Sequence, residues 1–421
     1  TGDADRAVAH YRAVLAIDAR HEGTIAALER MLADPERRVL VAEILEPIYL
    51  GRMDWPRVVA ALEARIEAES DPAGRKQLML RLGTLYEEHL EDLDAAFGNY
   101  ARLFRENIEE RDVWDLLQRL ARVLDRWDVL GDIFMSALEE VIADTPATAD
   151  LAFVTGQIFD ERTGDTAAAK RFYRRALDFD PTSKNIFPVL EALLIRTQSW
   201  DDLLALYRSA VDAAVVAAEK RPLLLKTARV FEQSLKDSSR AIDTYREILE
   251  LDARDANALE SLDRLLVQQE RWNELTDLIV QRIDDVPEGK TRSVLRLRLG
   301  TVREQKLREI SGAIDCYEEV LQKAEKAEAL LALQALERLV LDFEQRYRIA
   351  QILEPVYKAS DEWRKLVVIY DAELEFISDR IERVQRLQQI AHIHESRGGD
   401  LKLAANAIAR AFVEDPSHPD L

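Results

Sequence analysis

Apolar residues recur along this chain at intervals of three and four. In AVAHYRAVLAID (7–18), AFGNYARLF (96–104), AKRFYRRALDFD (169–180), AIDTYREILELD (241–252) and AIDCYEEVLQKA (313–324) an alanine is followed four residues later by tyrosine, then by leucine or phenylalanine. Spacing of i, i+4, i+8 lies along one helix face, so each stretch predicts an amphipathic helix with a small residue at its first contact. The tyrosines Tyr11, Tyr100, Tyr173, Tyr245 and Tyr317 are 89, 73, 72 and 72 residues apart, and Ile408 in ANAIARAFVED takes the place 91 residues on. Trp55, Trp127, Trp200, Trp272 and Trp363 keep the same beat and open further helical segments such as WDDLLALYRSAV. A third series, Gly83, Gly156, Ala228, Gly300 and Ala391, sits inside helical patterns. Glycine there costs about 1 kcal/mol relative to alanine, tolerable where a neighbouring helix needs the room.

The pattern predicts an all-α chain built on a unit of 72 residues with four helices, or two antiparallel hairpins. Pro72, Pro146 and Pro287 stand near the start of the third helix, where a missing N–H matters least. The expected units are roughly 1–22 (partial), 23–110 (lengthened), 111–182, 183–254, 255–326 and 327–421 (lengthened), with about 21–23 helices in one continuous solenoid over 1–421.

The lengthened units share an awkward phrase. ILEPIYL (44–50) and ILEPVYK (352–358) place Pro47 and Pro355 inside a helical pattern, 308 residues apart (355 − 47), where each ring costs roughly 3 kcal/mol. Leu28-Glu29-Arg30 and Leu336-Glu337-Arg338 keep the same interval, as do Trp55 and Trp363. The surplus of 17 and 19 residues (89 − 72 and 91 − 72) amounts to one added helix per lengthened unit. The prolines either kink the helix before the tryptophan or help start it, and the added helix is expected to alter the local twist of the solenoid.

These features resemble the tetratricopeptide repeat (TPR) family. The resemblance is carried by Leu82, Gly83, Tyr86, Ala96 and Tyr100 in one hairpin and by Gly156, Phe159, Ala169, Tyr173, Leu177 and Pro181 in the next, with Ala241, Tyr245, Ala313 and Tyr317 continuing the series. The alternate hairpins, such as ALESLDRLLVQQERWNELTDLIVQRI, match only by helix phase. The interval from Gly83 to Ala96 is one residue longer than in the family pattern, and the true period is two hairpins. The resemblance implies a right-handed superhelix that holds peptides or protein domains and carries no catalysis of its own. The family's carboxylate clamp, built from lysine and asparagine, is not recognisable among the six asparagines.

A net charge of −21 argues against a nucleic-acid partner, since phosphate binding needs a surplus of lysine and arginine along one surface. No run of about 18 uncharged apolar residues offers a membrane span. One cysteine, Cys316, excludes an intrachain disulfide and fits a reducing, cytoplasmic setting. Buried, it reads as an inert thiol. His392 and His394 lie about 200° apart on a helix and cannot share a metal ion without unwinding. Gly398-Gly399 reads as a helix C-cap. The aromatic series reads as packing between helices rather than as base-stacking platforms. The acidic stretches YEEHLEDLD (86–94) and VEDPSHPD (413–420) read as solvated helix ends, with an acidic lip for a basic partner as the alternative.

No catalytic, cofactor or metal residues are expected. The chain, read as a segment of a longer bacterial repeat protein, is expected to act as a non-catalytic scaffold binding other proteins or peptides. The alternatives are a self-assembling filament or tube wall, with homo-oligomeric contacts, and a docking or regulatory arm of an enzyme whose catalytic domain lies elsewhere.

Overall fold

The computed structural model describes residues 2–181, 183–340 and 344–417. His418, Pro419 and Asp420 of the second acidic stretch lie outside them. The described residues form twenty-three α-helices and no strand, in two compact units, Thr1–Val230 and Phe231–Leu421.

In the first unit the helices are α1 (Gly2–Ile17), α2 (Glu22–Met31), α3 (Arg38–Gly51), α4 (Trp55–Ala68), α5 (Pro72–Glu88), α6 (Leu93–Glu106), α7 (Arg111–Leu124), α8 (Trp127–Glu139), α9 (Pro146–Ile158), α10 (Thr166–Phe179), α11 (Ile186–Arg196), α12 (Trp200–Ala213) and α13 (Ala217–Arg229). The second holds α14 (Ser238–Leu251), α15 (Ala256–Gln268), α16 (Trp272–Asp285), α17 (Lys290–Val302), α18 (Ile310–Lys323), α19 (Lys326–Leu339), α20 (Arg346–Ser360), α21 (Trp363–Leu374), α22 (Arg380–Ile393) and α23 (Leu401–Glu414). Within each unit successive helices pack on their neighbours, the arrangement of an α-solenoid.

Local chemistry sets the turns. Each tryptophan of the series is the first residue of its helix, and two residues earlier Met53, Asp125, Gln198, Glu270 and Asp361 adopt φ of 53–57°. That left-handed residue ends the preceding helix and folds the next one back within a few residues. At the ends of the third helices Glu91, Gly164, Arg308 and Gly399 do the same. Asp92, Asp165 and Asp400 then accept backbone N–H groups at the start of α6, α10 and α23.

In three other hairpins that keep the same interval as Gly83 to Ala96, the one-residue excess over the family pattern falls at a π-helical turn. α9, α17 and α22 each finish in a π-helical turn, Phe159–Thr163, Arg303–Leu307 and His394–Gly398. Such a turn absorbs one inserted residue without disturbing the packing that precedes it.

That packing joins the small residue of the third helix to the tyrosine of the fourth. A Cβ on Gly156 would stand 2.6 Å from the Tyr173 ring, and one on Gly300 would stand 2.7 Å from the Tyr317 ring. Gly83 faces Tyr100 in the same way. Ala96, Ala169, Ala241 and Ala313 are fully buried beside these rings. Ala228 is also buried. Tyr86 is half-buried, and its carbonyl accepts the Asp92 N–H. In the second unit a continuous core runs from Ala313 and Tyr317 through Leu336, Leu353 and Tyr370 to Ile390 and Ala411.

Both stretches that could serve as first helix in the lengthened units are helical: α2 and α3 in one, α19 and α20 in the other. The helix continues through Pro47 and Pro355, well past its first turn, so neither proline starts it.

Candidate functional site

The added helix leaves a groove. In the first unit α2 is only ten residues long, and a cavity of about 500 Å³ opens between α1 and α3, floored by Leu15, Ala16, Ile44, Pro47 and Ile48. In the second unit a cavity of about 1000 Å³ opens between α18, α19 and α20, floored by Leu321, Gln322, Ile352, Pro355 and Val356. Most of the lining positions correspond, offset by 308 residues along the proline helices (352 − 44) and by 306 between α1 and α18 (321 − 15).

The Glu-Pro dipeptide divides the proline helix into two faces. Glu46 is buried and paired with Arg65 at 2.5 Å and also with Arg81; Glu354 accepts from Tyr370 at 2.8 Å, Lys358 at 2.7 Å and Arg386 at 3.1 Å. The next residue in each copy, Pro47 or Pro355, is exposed on the groove side. Proline has no N–H, so the carbonyls of Glu43 and Gln351, four residues back and at the groove, lose their usual intrahelical donor. Each groove therefore combines an apolar floor with a backbone acceptor. Replacing Pro355 by alanine restores the missing bond, and thermal melts are expected to show stabilisation of about 1–3 kcal/mol. Destabilisation would mean that the ring makes packing contacts worth more than the bond.

The tyrosines sit in a second recurring arrangement. A carboxylate on one helix accepts the tyrosine hydroxyl of the next and a cation from the one after. Glu87 accepts from Tyr100 at 3.0 Å and from Arg119 at 2.6 Å; Glu191 from Tyr207 at 2.6 Å and Lys226 at 2.7 Å. In the second unit Glu232 accepts from Tyr245 at 3.2 Å and Arg264 at 2.7 Å, and Glu304 from Tyr317 at 2.8 Å and Arg338 at 2.7 Å. Glu337, Tyr357 and Lys365 repeat it across α19, α20 and α21. Asp160 pairs with Arg196, but its shorter side chain leaves the buried Tyr173 hydroxyl without a hydrogen bond. Burial and the facing carboxylate push Tyr100 up to about 12, so it stays a donor at any ordinary pH. The Arg119 guanidinium holds Glu87 below the usual carboxylate range. Glu87 lies within the first acidic stretch, so at that residue the stretch is a buttress between helices rather than a solvated end or a lip.

Glu373, beside the second groove's helix, behaves oppositely. Burial on α21 lifts its carboxyl to about 7, against the pull of Arg386 at 3.0 Å. An acid whose folded value exceeds its unfolded one stabilises the fold below the unfolded value, and that contribution disappears as pH rises through the folded one. Between pH 4.5 and 8 the protein is therefore expected to lose on the order of 3 kcal/mol relative to Glu373→Gln, read by urea denaturation across pH. A constant difference between the two proteins would refute it.

The tryptophans are half-buried rather than central. Trp55 stacks on His89 with ring centroids 4.0 Å apart, Arg162 covers Trp127 at 4.9 Å, Lys306 covers Trp272 at 4.8 Å, and His394 meets Trp363 edge-on at 6.4 Å. Trp200 is half-buried at the start of α12. Cys316 is buried 3.6 Å from Arg303, and burial pushes its thiol up. Among the described residues no three His, Cys, Asp or Glu side chains gather as a metal site, and no helix is long and apolar enough to cross a membrane. The structure places Gly83, Gly156 and Gly300 against Tyr100, Tyr173 and Tyr317; it does not bring the tryptophans into one site.

No curated protein matches the chain. Among solved structures it is similar to YrrB, a TPR protein with an unusual peptide-binding site, at 16% identity over 48% of this chain and 97% of that one, with a TM-score of 0.24. It is also similar to the Naa15/Naa10 complex bound to HypK-THB (14% identity, 95% and 68% coverage, TM-score 0.28) and to the human IFIT1 dimer with PPP-AAAA (13%, 87% and 89%, 0.28). The sequence model of the tetratricopeptide repeat matches residues 223–254. That stretch holds the same small-residue, alanine and tyrosine register that packs α9 on α10 and α17 on α18, so the hairpin that matches the tetratricopeptide repeat is similar in pattern to its neighbours along the chain.

Proposed function

We propose that the chain is a non-catalytic scaffold that docks segments of other proteins in the two proline grooves. The observation that carries this reading is the repetition: a largely apolar floor and a freed carbonyl recur in both lengthened units, each built on a proline that disfavours its own helix. Two docking sites on one chain also raise avidity for a partner that carries two copies of a motif.

The test is site-specific crosslinking in the source cell. A photoreactive phenylalanine at Ile48 or Val356 is expected to capture discrete partner proteins, while one at the exposed Val267 is not. Capture at all three positions alike, or at Val267 only, would defeat the reading.

A further inference from the structure

We propose that the groove at Pro47 selects an acidic amphipathic segment of a partner protein, and that its counterpart at Pro355 does not. The inference rests on the grooves being docking sites and adds what the first one recognises. Its walls carry Arg12 and Arg20 from the α1 side and Arg52 from the end of α3, against a single lining carboxylate, Glu43. Arg12 and Arg20 are exposed and form no ion pair among the described residues; Arg52 is bound to Glu22, itself mostly exposed. Arg12 and Arg20 beside an apolar floor, in a chain of net charge −21, give this rim a positive charge opposite in sign to that of the whole molecule. Planar forks of this kind match carboxylates, and the floor of Leu15, Ile44 and Ile48 takes apolar side chains on the same segment.

The second groove keeps the floor and changes the rim. Where the first has Arg12, Arg20, Glu43 and Arg52, the second has Glu318, Lys326, Gln351 and Ser360. Its remaining arginine, Arg348, is held by Asp315 at 2.5 Å and Glu318 at 3.3 Å. Two copies of one groove thus share shape and differ in charge, the combination that gives related partners separate addresses.

The probe is a library of random 12-residue peptides displayed on phage and selected on the full chain, with the Ala16→Trp variant as counter-selection. Ala16 is exposed, so tryptophan there fills the groove without entering the core. Selected peptides are expected to carry apolar pairs flanked by Asp and Glu. A synthesised hit should bind at least tenfold more weakly to Arg12→Glu/Arg20→Glu by fluorescence anisotropy, and to be unaffected by Val356→Asp in the second groove. Salt should weaken it. Neutral or basic hits that are still lost in Ala16→Trp would overturn the charge selection while leaving groove docking intact. No enrichment over Ala16→Trp would overturn both for this groove. Concentration-dependent self-association that the peptide displaces would make a second copy of the chain the occupant, and the proposal would fall.

Discussion

Gly156→Ala is expected to destabilise the first unit by about 2 kcal/mol, although the same change in an open helix would stabilise it by up to about 1 kcal/mol. The added methyl would stand 2.6 Å from the Tyr173 ring. That ring has nowhere to move: it is fully buried and packs against Phe153 with centroids 5.7 Å apart. The chain itself holds the compensated version. At the equivalent places alanine stands seventeen positions before tyrosine in one copy (Ala228, Tyr245) and before isoleucine in another (Ala391, Ile408), the latter joining a larger first residue to a smaller second one. The double variant Gly156→Ala/Tyr173→Ile is therefore expected to recover part of the loss, a coupling that a double-mutant cycle in urea would read directly. Strict additivity would show that the ring escapes by another route.

Glu304→Ala should cost about 2–4 kcal/mol, with the second unit losing stability by chemical denaturation. Its carboxylate is 8% exposed and accepts from the Tyr317 hydroxyl at 2.8 Å and from Arg338 at 2.7 and 2.8 Å. Removing it strands a hydroxyl on a residue that is 1% exposed, and most of the loss comes from there. The Arg338 side chain is 56% exposed and regains water, so its share is small. Two further variants apportion the effect: Glu304→Gln keeps an acceptor and should lose about half as much, while Tyr317→Phe leaves the ion pair and should lose about 1 kcal/mol. If Arg338→Ala proves as damaging as Glu304→Ala, the ion pair rather than the stranded hydroxyl holds the helices.

Periodicity made the hairpins legible because helix packing repeats its demands on side-chain size. Glycine opposite tyrosine, alanine beside it and tryptophan at a helix start each leave a residue type at a fixed interval. Pro47 and Pro355 were legible as a super-period for the same reason. What they line was not, because a groove is the space left by three helices, and nothing in ILEPIYL states how far α1 stands from α3. The carboxylate partners were missed although a signal existed: Glu87, Asp160, Glu232 and Glu304 each precede their tyrosine by thirteen residues. Acidic residues are so common on the helix surfaces of this chain that a periodic few among 79 do not stand out. The cations are harder still, since Arg196 reaches Asp160 from a different turn of its helix than Arg119 uses to reach Glu87. Long side chains meet by reach rather than by register.

The shared carboxylates bear on how each unit comes apart. If adjacent helices alone were coupled, the unit would behave as a one-dimensional lattice with nearest-neighbour terms, and its ends would fray one helix at a time. A carboxylate held by the next helix and the next but one adds a second-neighbour term. Losing a terminal helix then weakens two junctions instead of one, the correlation length grows, and partial melting gives way to steeper, more concerted transitions.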